Sequence, residues 1–248
     1  MKIFYTLVKH FLLLSLIIAP TANSSILNKI DLSGLRIGIF HGTFDPPHLG
    51  HLKVALAALK EGKLDYVLFI PNDNAFYKPG VSDLRKRWEW SQMITENEPR
   101  IIVPDFGELA NGQFIEPNGT YLDELLSTLS SKKAHPVGII GSDNARSDYK
   151  EGFFYLKADI FIKEWLINRR GNDKGDIPNQ LVDKTTNETH PAKDFDAEDG
   201  GVSSTEIRNK LKNENFDVPL PKNLLLKIIS DGDFGTNPNI HLNCLKIF

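Results

Sequence analysis

The chain has 248 residues, room for one large domain or two small ones. Hydrophobic residues make up 41% and charged residues 25%, ordinary globular values that exclude a disordered chain, a collagen and a membrane bundle. With 29 Lys+Arg against 32 Asp+Glu the formal net charge is −3, which argues against a nucleic-acid surface, and the single cysteine, Cys244, excludes an intrachain disulfide and a cysteine-rich zinc site. The first residues differ from the rest. Lys2 and Lys9 precede an apolar run from Phe11 to Ala19, and a small, polar stretch, Pro20 to Ser25, follows it. A positive start, a short apolar core and a small-residue exit are the parts of a secretory leader, and a spanning helix needs about 20 apolar residues. Residues 1–24 are therefore read as a signal peptide or an uncleaved anchor, against a buried N-terminal helix or a misplaced start. The leader predicts an exported or membrane-tethered protein, touching the membrane through residues 3–19 if uncleaved; the alternative is a cytoplasmic one.

From Leu35 onward short apolar runs alternate with helical segments. Leu35–Phe40 reads as a buried strand. His48–Glu61 follows as a helix with Leu49, Leu52, Leu56 and Leu59 on one face and Gly62 as its stop. Tyr66–Pro71 is a second strand, and Ser82–Asn97 a helix capped by Ser82. Arg100–Val103 is a third strand, Tyr121–Ser130 a helix, and Val137–Ile140 a fourth strand. A fifth strand falls between Ala158 and Asn168, and Ser204–Asn213 and Lys222–Ser230 are closing helices. Such alternation implies βαβ units. The predicted fold is α/β, a Rossmann-like doubly wound parallel sheet in one domain from Leu35 to Asp231. The polar stretch 171–201 reads as a long surface loop, residues 232–248 as an irregular tail, and Arg85-Lys86-Arg87 as a solvated helix face.

The segment with most chemical content is Gly38-Ile-Phe-His-Gly-Thr-Phe-Asp-Pro-Pro-His-Leu-Gly-His51. It leaves the first strand, turns and enters the first helix, a junction at the carboxyl edge of a doubly wound sheet where ligands bind. A helix N-terminus offers free N–H groups and partial positive charge, both suited to phosphate. Gly42 lets the backbone approach a ligand, and Gly50 leaves room over the helix start. His48 and His51, three apart, can donate hydrogen bonds to phosphoryl oxygens that gain charge during transfer. A zinc-binding helical pair is usually spaced i, i+4 with a carboxylate nearby, so phosphate is preferred and no metal ligand set is assigned.

Gly-Thr-Phe-Asp-Pro-Pro-His-Leu-Gly-His resembles the signature of HxGH nucleotidyltransferases. Far downstream, Val202-Ser-Ser-Thr-Glu-Ile-Arg208 is similar to the second signature of the nicotinate/nicotinamide mononucleotide adenylyltransferases. The resemblance implies an enzyme of NAD biosynthesis that moves AMP from ATP to a pyridine mononucleotide, giving a dinucleotide and pyrophosphate. It makes His48, His51 and Arg208 the catalytic residues. It assigns ATP binding to Gly42, Thr43, Phe44, Gly141, Asp143, Ser203, Ser204 and Thr205. Gly141-Ser-Asp143 resembles the family's GxD, whose Asp contacts a ribose. Lys78, Tyr121 and Tyr149 are weaker matches for the second substrate, and Asn168-Arg-Arg-Gly171 resembles the family's Arg-x-Gly. ATP and a pyridine mononucleotide are the implied partners, with Mg²⁺ arriving on ATP. The residues leave open another phosphate acceptor, or a nucleotide-binding module that no longer turns over.

Overall fold

The computed structural model describes residues 30–72, 80–104, 121–145, 161–171, 173–182 and 188–239. The leader reading of residues 1–24, Lys78 and Tyr149 lie outside the described residues, as does the end of the chain after residue 239. No helix among the described residues is long and apolar enough to cross a membrane.

Seven strands form one sheet in the order β3-β2-β1-β4-β5-β7-β6. They are β1 (Arg36–Gly42), β2 (Tyr66–Pro71), β3 (Ile101–Ile102), β4 (His135–Gly141), β5 (Trp165–Asn168), β6 (Gln180–Val182) and β7 (Thr189–Phe195). All pairings are parallel except that of β6 with β7. Phe40 of β1 sits level with Phe69 of β2 and with Ile139 of β4. The helices are α1 (Leu49–Glu61), α2 (Leu84–Thr95), α3 (Tyr121–Ser131), α4 (Ser204–Lys212) and α5 (Lys222–Ser230). The strand order reverses between β1 and β4, so their carboxyl ends part at a switch point.

The central strands are apolar on both sides because helices cover both faces. Val67 and Phe69 join Phe40, Val137 and Leu166 under Val54, Ala55 and Ala58 of α1. Leu68 and Ile70 point the other way, into a cluster with Ile37, Ile39 and Ile167 under Leu126 and Leu129 of α3. A third cluster stands apart from the sheet: Trp90 and Ile94 of α2 pack with Ile207 and Leu211 of α4 and Leu224 and Ile228 of α5.

Several expectations need correction. Helix α1 turns Val54, Ala55, Ala58 and Leu59 inward, while Leu49 is 37% exposed and Leu52 and Leu56 are only partly buried. Two alanines on the inner face let the helix lie close to the sheet, which a row of leucines would not. Asp83, not Ser82, caps α2, its carboxylate accepting the Lys86 N–H at 2.8 Å. The stretch 171–201 is not a loop throughout: it contains β6 and all of β7, which extends the sheet beside β5. Burial along β7 falls on His190 and Phe195 only, so the apolar signal of a central strand is absent. The tail begins later than Asp231. Residues 233–235 form a 3₁₀ turn, Phe234 sets its ring 5.5 Å from Trp90, Lys86 pairs with Asp233, and Thr236 is buried.

Candidate active site

A cleft of about 730 Å³ opens at the carboxyl ends of β1 and β4. It is lined by His48, His51 and Arg208, by Gly42, Thr43 and Phe44, by Gly141 and Asp143, and by Ser203, Ser204 and Thr205. Residues from both ends of the domain thus share one cavity. Tyr121 opens α3, and its side chain lies outside the described set.

The first motif is built by packing. Beyond β1 the chain bends at Phe44 (φ 49°), whose ring stacks on Phe69 at 4.0 Å and meets Phe40 edge-on at 5.3 Å. Phe44 is therefore a core anchor that meets the His51 ring in a T-shaped contact, centroids 4.9 Å apart. A Cβ on Gly42 would lie 2.8 Å from that phenyl ring, so the seating of Phe44 itself requires the glycine. Gly50 has a similar reason. A Cβ there would meet His48 Nδ1 at 2.9 Å and the Asp199 carbonyl at 3.2 Å, so the space left over the helix start is filled by protein.

His48 is the N-cap of α1 and only 2% exposed, with neither ring nitrogen hydrogen-bonded. The two imidazoles stack, centroids 3.7 Å apart and planes 27° from parallel. His48 N–H donates to His51 Nδ1 at 3.3 Å, which leaves the proton of a neutral His51 on Nε2. Burial first, and the positive charge of Arg170 second, lower the His48 pKa to about 4, with Asp199 pulling the other way. His48 is thus a neutral donor at pH 7. Among the described residues no group of three His, Cys, Asp or Glu could hold a metal ion.

The second motif is stitched to the first. Ser203 Oγ caps α4, accepting Glu206 N–H at 3.2 Å. Ser204 Oγ donates to the Pro46 carbonyl at 3.0 Å. Arg208 Nη1 donates to the Asp45 carbonyl at 2.6 Å, with the buried Asp45 carboxylate 3.7 Å away, and Nη2 donates to Thr205 Oγ1 at 3.1 Å. Two helix N-termini, α1 and α4, therefore meet at the Asp45-Pro46 corner; Leu49 N–H goes to the Pro219 carbonyl and Glu206 N–H to Ser203 Oγ, and the positive ends of the two helix dipoles favour an anion between them.

Four more residues belong to the cleft or its frame. Arg87 is not on a solvated face: it is buried, with Nη1 donating to the Thr43 carbonyl at 2.8 Å and Nε to the Ser82 carbonyl at 2.9 Å. It and burial lower the His41 pKa to about 4, burial being the larger cause. Asn168, at the end of β5, donates to Asp199 Oδ2 at 3.0 Å and accepts Ala197 N–H at 3.0 Å. Asp199 Oδ1 in turn accepts Gly171 N–H at 3.2 Å and Gly201 N–H at 2.8 Å, fixing the turn that leads into Ser203. A polar residue closing an apolar strand, and an Asp-Gly-Gly turn ahead of a cap, are the sequence signals for this pair. Arg170 lines the cleft opposite and donates to Asp143 Oδ2 at 2.9 Å.

The cytidylyltransferase-like family model matches residues 39–210. A "probable nicotinate-nucleotide adenylyltransferase" of Thermotoga sp. (strain RQ2) is 32% identical over 135 residues, 54% of this chain and 65% of that protein. The chain thus spans slightly under two thirds of that relative's length. One of the same description from Clostridium novyi (strain NT) is 31% identical over 193 residues, 75% of this chain and 92% of that protein. The structure of Plasmodium falciparum nicotinic acid mononucleotide adenylyltransferase complexed with NaAD superposes with a TM-score of 0.60 at 15% identity, covering 82% of this chain and 98% of that one. At that identity the likeness is one of fold.

Proposed function

The chain belongs to the cytidylyltransferase-like family, and from that premise we propose that it is an adenylyltransferase moving AMP from ATP to a pyridine mononucleotide, a step of NAD biosynthesis. The relatives' descriptions favour the nicotinate form. One observation carries the reading: Arg208 and Ser204 are hydrogen-bonded to Asp45 and Pro46, so both phosphate-suited motifs face one cleft.

In the proposed step a 5′-phosphate oxygen of the mononucleotide attacks the α-phosphorus of ATP in line. The new P–O bond forms as the bond from the α-phosphorus to the bridging oxygen breaks, and pyrophosphate leaves with the electron pair. The attacking phosphate is already ionised, so positioning and charge stabilisation replace a strong general base. His48, held neutral by its burial, and His51 donate N–H bonds to the α- and β-phosphates. The Nδ1 contact of His51 puts the donor proton of its neutral tautomer on Nε2. Ser203, Ser204, Thr205 and Arg208 hold the β- and γ-phosphates and the departing pyrophosphate, with Arg208 the permanent charge. Of the cleft carboxylates, Asp143 is engaged by Arg170 and Asp199 by Asn168 and two amides, while Asp45 is buried with the Arg208 guanidinium 3.7 Å away. That donor set suits a Mg²⁺ carried on the phosphates, which keeps several waters. Residues 1–24 would export or tether the enzyme; sequencing the mature N-terminus tests that.

The test is incubation with ATP, Mg²⁺ and each mononucleotide, reading dinucleotide and pyrophosphate. His51→Ala should keep the fold and lose about 100- to 1,000-fold in rate, the usual cost of removing one transition-state donor. Near-normal turnover by that variant would reject the role.

A further inference from the structure

Two arginines in tandem follow β5, and the fold sends them apart. Arg169 leans outward, donating to Asp194 Oδ2 at 2.7 Å and to the Gly175 carbonyl at 3.1 Å. Arg170 turns into the cleft, where Nη1 donates to Asp143 Oδ2 at 2.9 Å and Nη2 reaches the Val202 carbonyl at 3.4 Å. The phosphate ligands proposed above do not include it.

Its partner has a competing use. Asp143 stands two residues beyond the end of β4, at the cleft wall, where a carboxylate can accept both hydroxyls of a ribose. A diol held by both oxygens competes with the guanidinium for Oδ2. The Asp143–Arg170 pair is open to solvent, side chains 52% and 39% exposed, and exposed pairs are worth about 0–1 kcal/mol. A ribose can therefore displace it at little cost. Once displaced, Arg170 remains in the cavity that contains both imidazoles, and its charge already acts on His48. A triphosphate there offers more anionic oxygens than Asp143 gives up, and a planar guanidinium matches them in pairs.

We infer that Arg170 is a phosphate ligand parked on Asp143: the nucleotide's ribose takes over the carboxylate, and the released guanidinium turns onto the triphosphate beside His48. The inference rests on the adenylyltransferase reading of the cleft. It makes ATP entry an exchange of partners, in which a ribose on Asp143 shifts Arg170 from the carboxylate toward the phosphates.

The experiment compares wild-type protein, Arg170→Gln and Arg170→Lys for binding of a non-hydrolysable ATP analogue and of adenosine, with the melting temperature as a fold control. The expected result is that Arg170→Gln weakens the analogue about tenfold, in the range of one lost charge-assisted hydrogen bond. Adenosine, which no longer has to displace the guanidinium, binds as before or more tightly, and Arg170→Lys recovers part of the analogue affinity. Equal analogue affinity in wild type and Arg170→Gln overturns the inference and leaves the adenylyltransferase reading standing. Parallel loss of both ligands also overturns it, since that marks a merely structural role. Wild-type protein that binds neither ligand overturns the reading of the cleft and the inference together.

Discussion

His48 and His51 stack with ring centroids 3.7 Å apart. His48 is held neutral by its burial and by Arg170, with its pKa lowered from 6.5 to about 4. Between those values the unfolded chain binds a proton that the folded chain refuses. Stability therefore rises with pH across that window, is complete above about pH 6.5, and is lost as pH falls toward 4. For His48 the loss between neutral pH and pH 5 is about 2 kcal/mol, and the lowered pKa of His41 acts in the same direction. Urea unfolding at steps from pH 7 to pH 5 should show it, with a shallower slope in His48→Asn. A wild-type midpoint that does not move across this range would exclude two neutral buried imidazoles. The identity of these histidines was legible from the motif, because strand, turn and helix start are local. Their stacking was not, since it depends on Phe44, Phe69 and Asp199 arriving from three parts of the chain. The burial of Arg87 is hidden in the sequence for a related reason. Its neighbour Arg85 is exposed as a charge run suggests, whereas the carbonyls of Thr43 and Ser82, distant in sequence or outside the helix, help make burial of the Arg87 guanidinium tolerable.

At the scale of elements, β1, β2 and β4 announce themselves as unbroken apolar runs because both of their faces are covered. Strand β7 does not, because its other neighbour is the short edge strand β6 and most of its side chains face water. What β7 delivers is nevertheless functional: it leads through the Ala197–Gly201 turn to the cap of α4. That turn is held by Asn168, 2% exposed, and Asp199. Asn168→Ala would strand the Ala197 N–H and one Asp199 oxygen with no partner. The expected cost is about 2–4 kcal/mol, one to two for each stranded group. Because the turn positions Ser203, the KM for ATP should rise as well. Calorimetry and initial rates on the same preparation test both, and an unchanged melting temperature would show that the turn holds itself.

Across the whole molecule, the two halves of the cleft rest on different cores. His48 and His51 stand on α1, packed on the sheet through Val54, Ala55 and Ala58. Arg208 stands on α4, which has no place on the sheet and is held by Ile207 and Leu211 against α2 and α5. Helix α2 also carries Arg87, and the 3₁₀ turn at residues 233–235 closes this outer cluster through Phe234 on Trp90. The third cluster is thus the structural link between a motif near the start of the domain and one near its end. Damage to it should be felt in the cleft out of proportion to its effect on stability. Leu211, fully buried and one turn beyond Arg208, is the place to cut. Leu211→Ala should cost about 2–5 kcal/mol, and so should Leu68→Ala, which empties the sheet core instead. Compared at a temperature where both variants remain folded, Leu211→Ala should raise the KM for ATP several-fold, while Leu68→Ala should leave it near the wild-type value. Saturating ATP should also restore more stability to wild-type protein than to Leu211→Ala, because binding stabilises the fold only as far as the folded chain grips the nucleotide. If the two variants lose ATP affinity equally, the separation between the sheet core and the outer cluster has no functional meaning, and the cleft behaves as one rigid body.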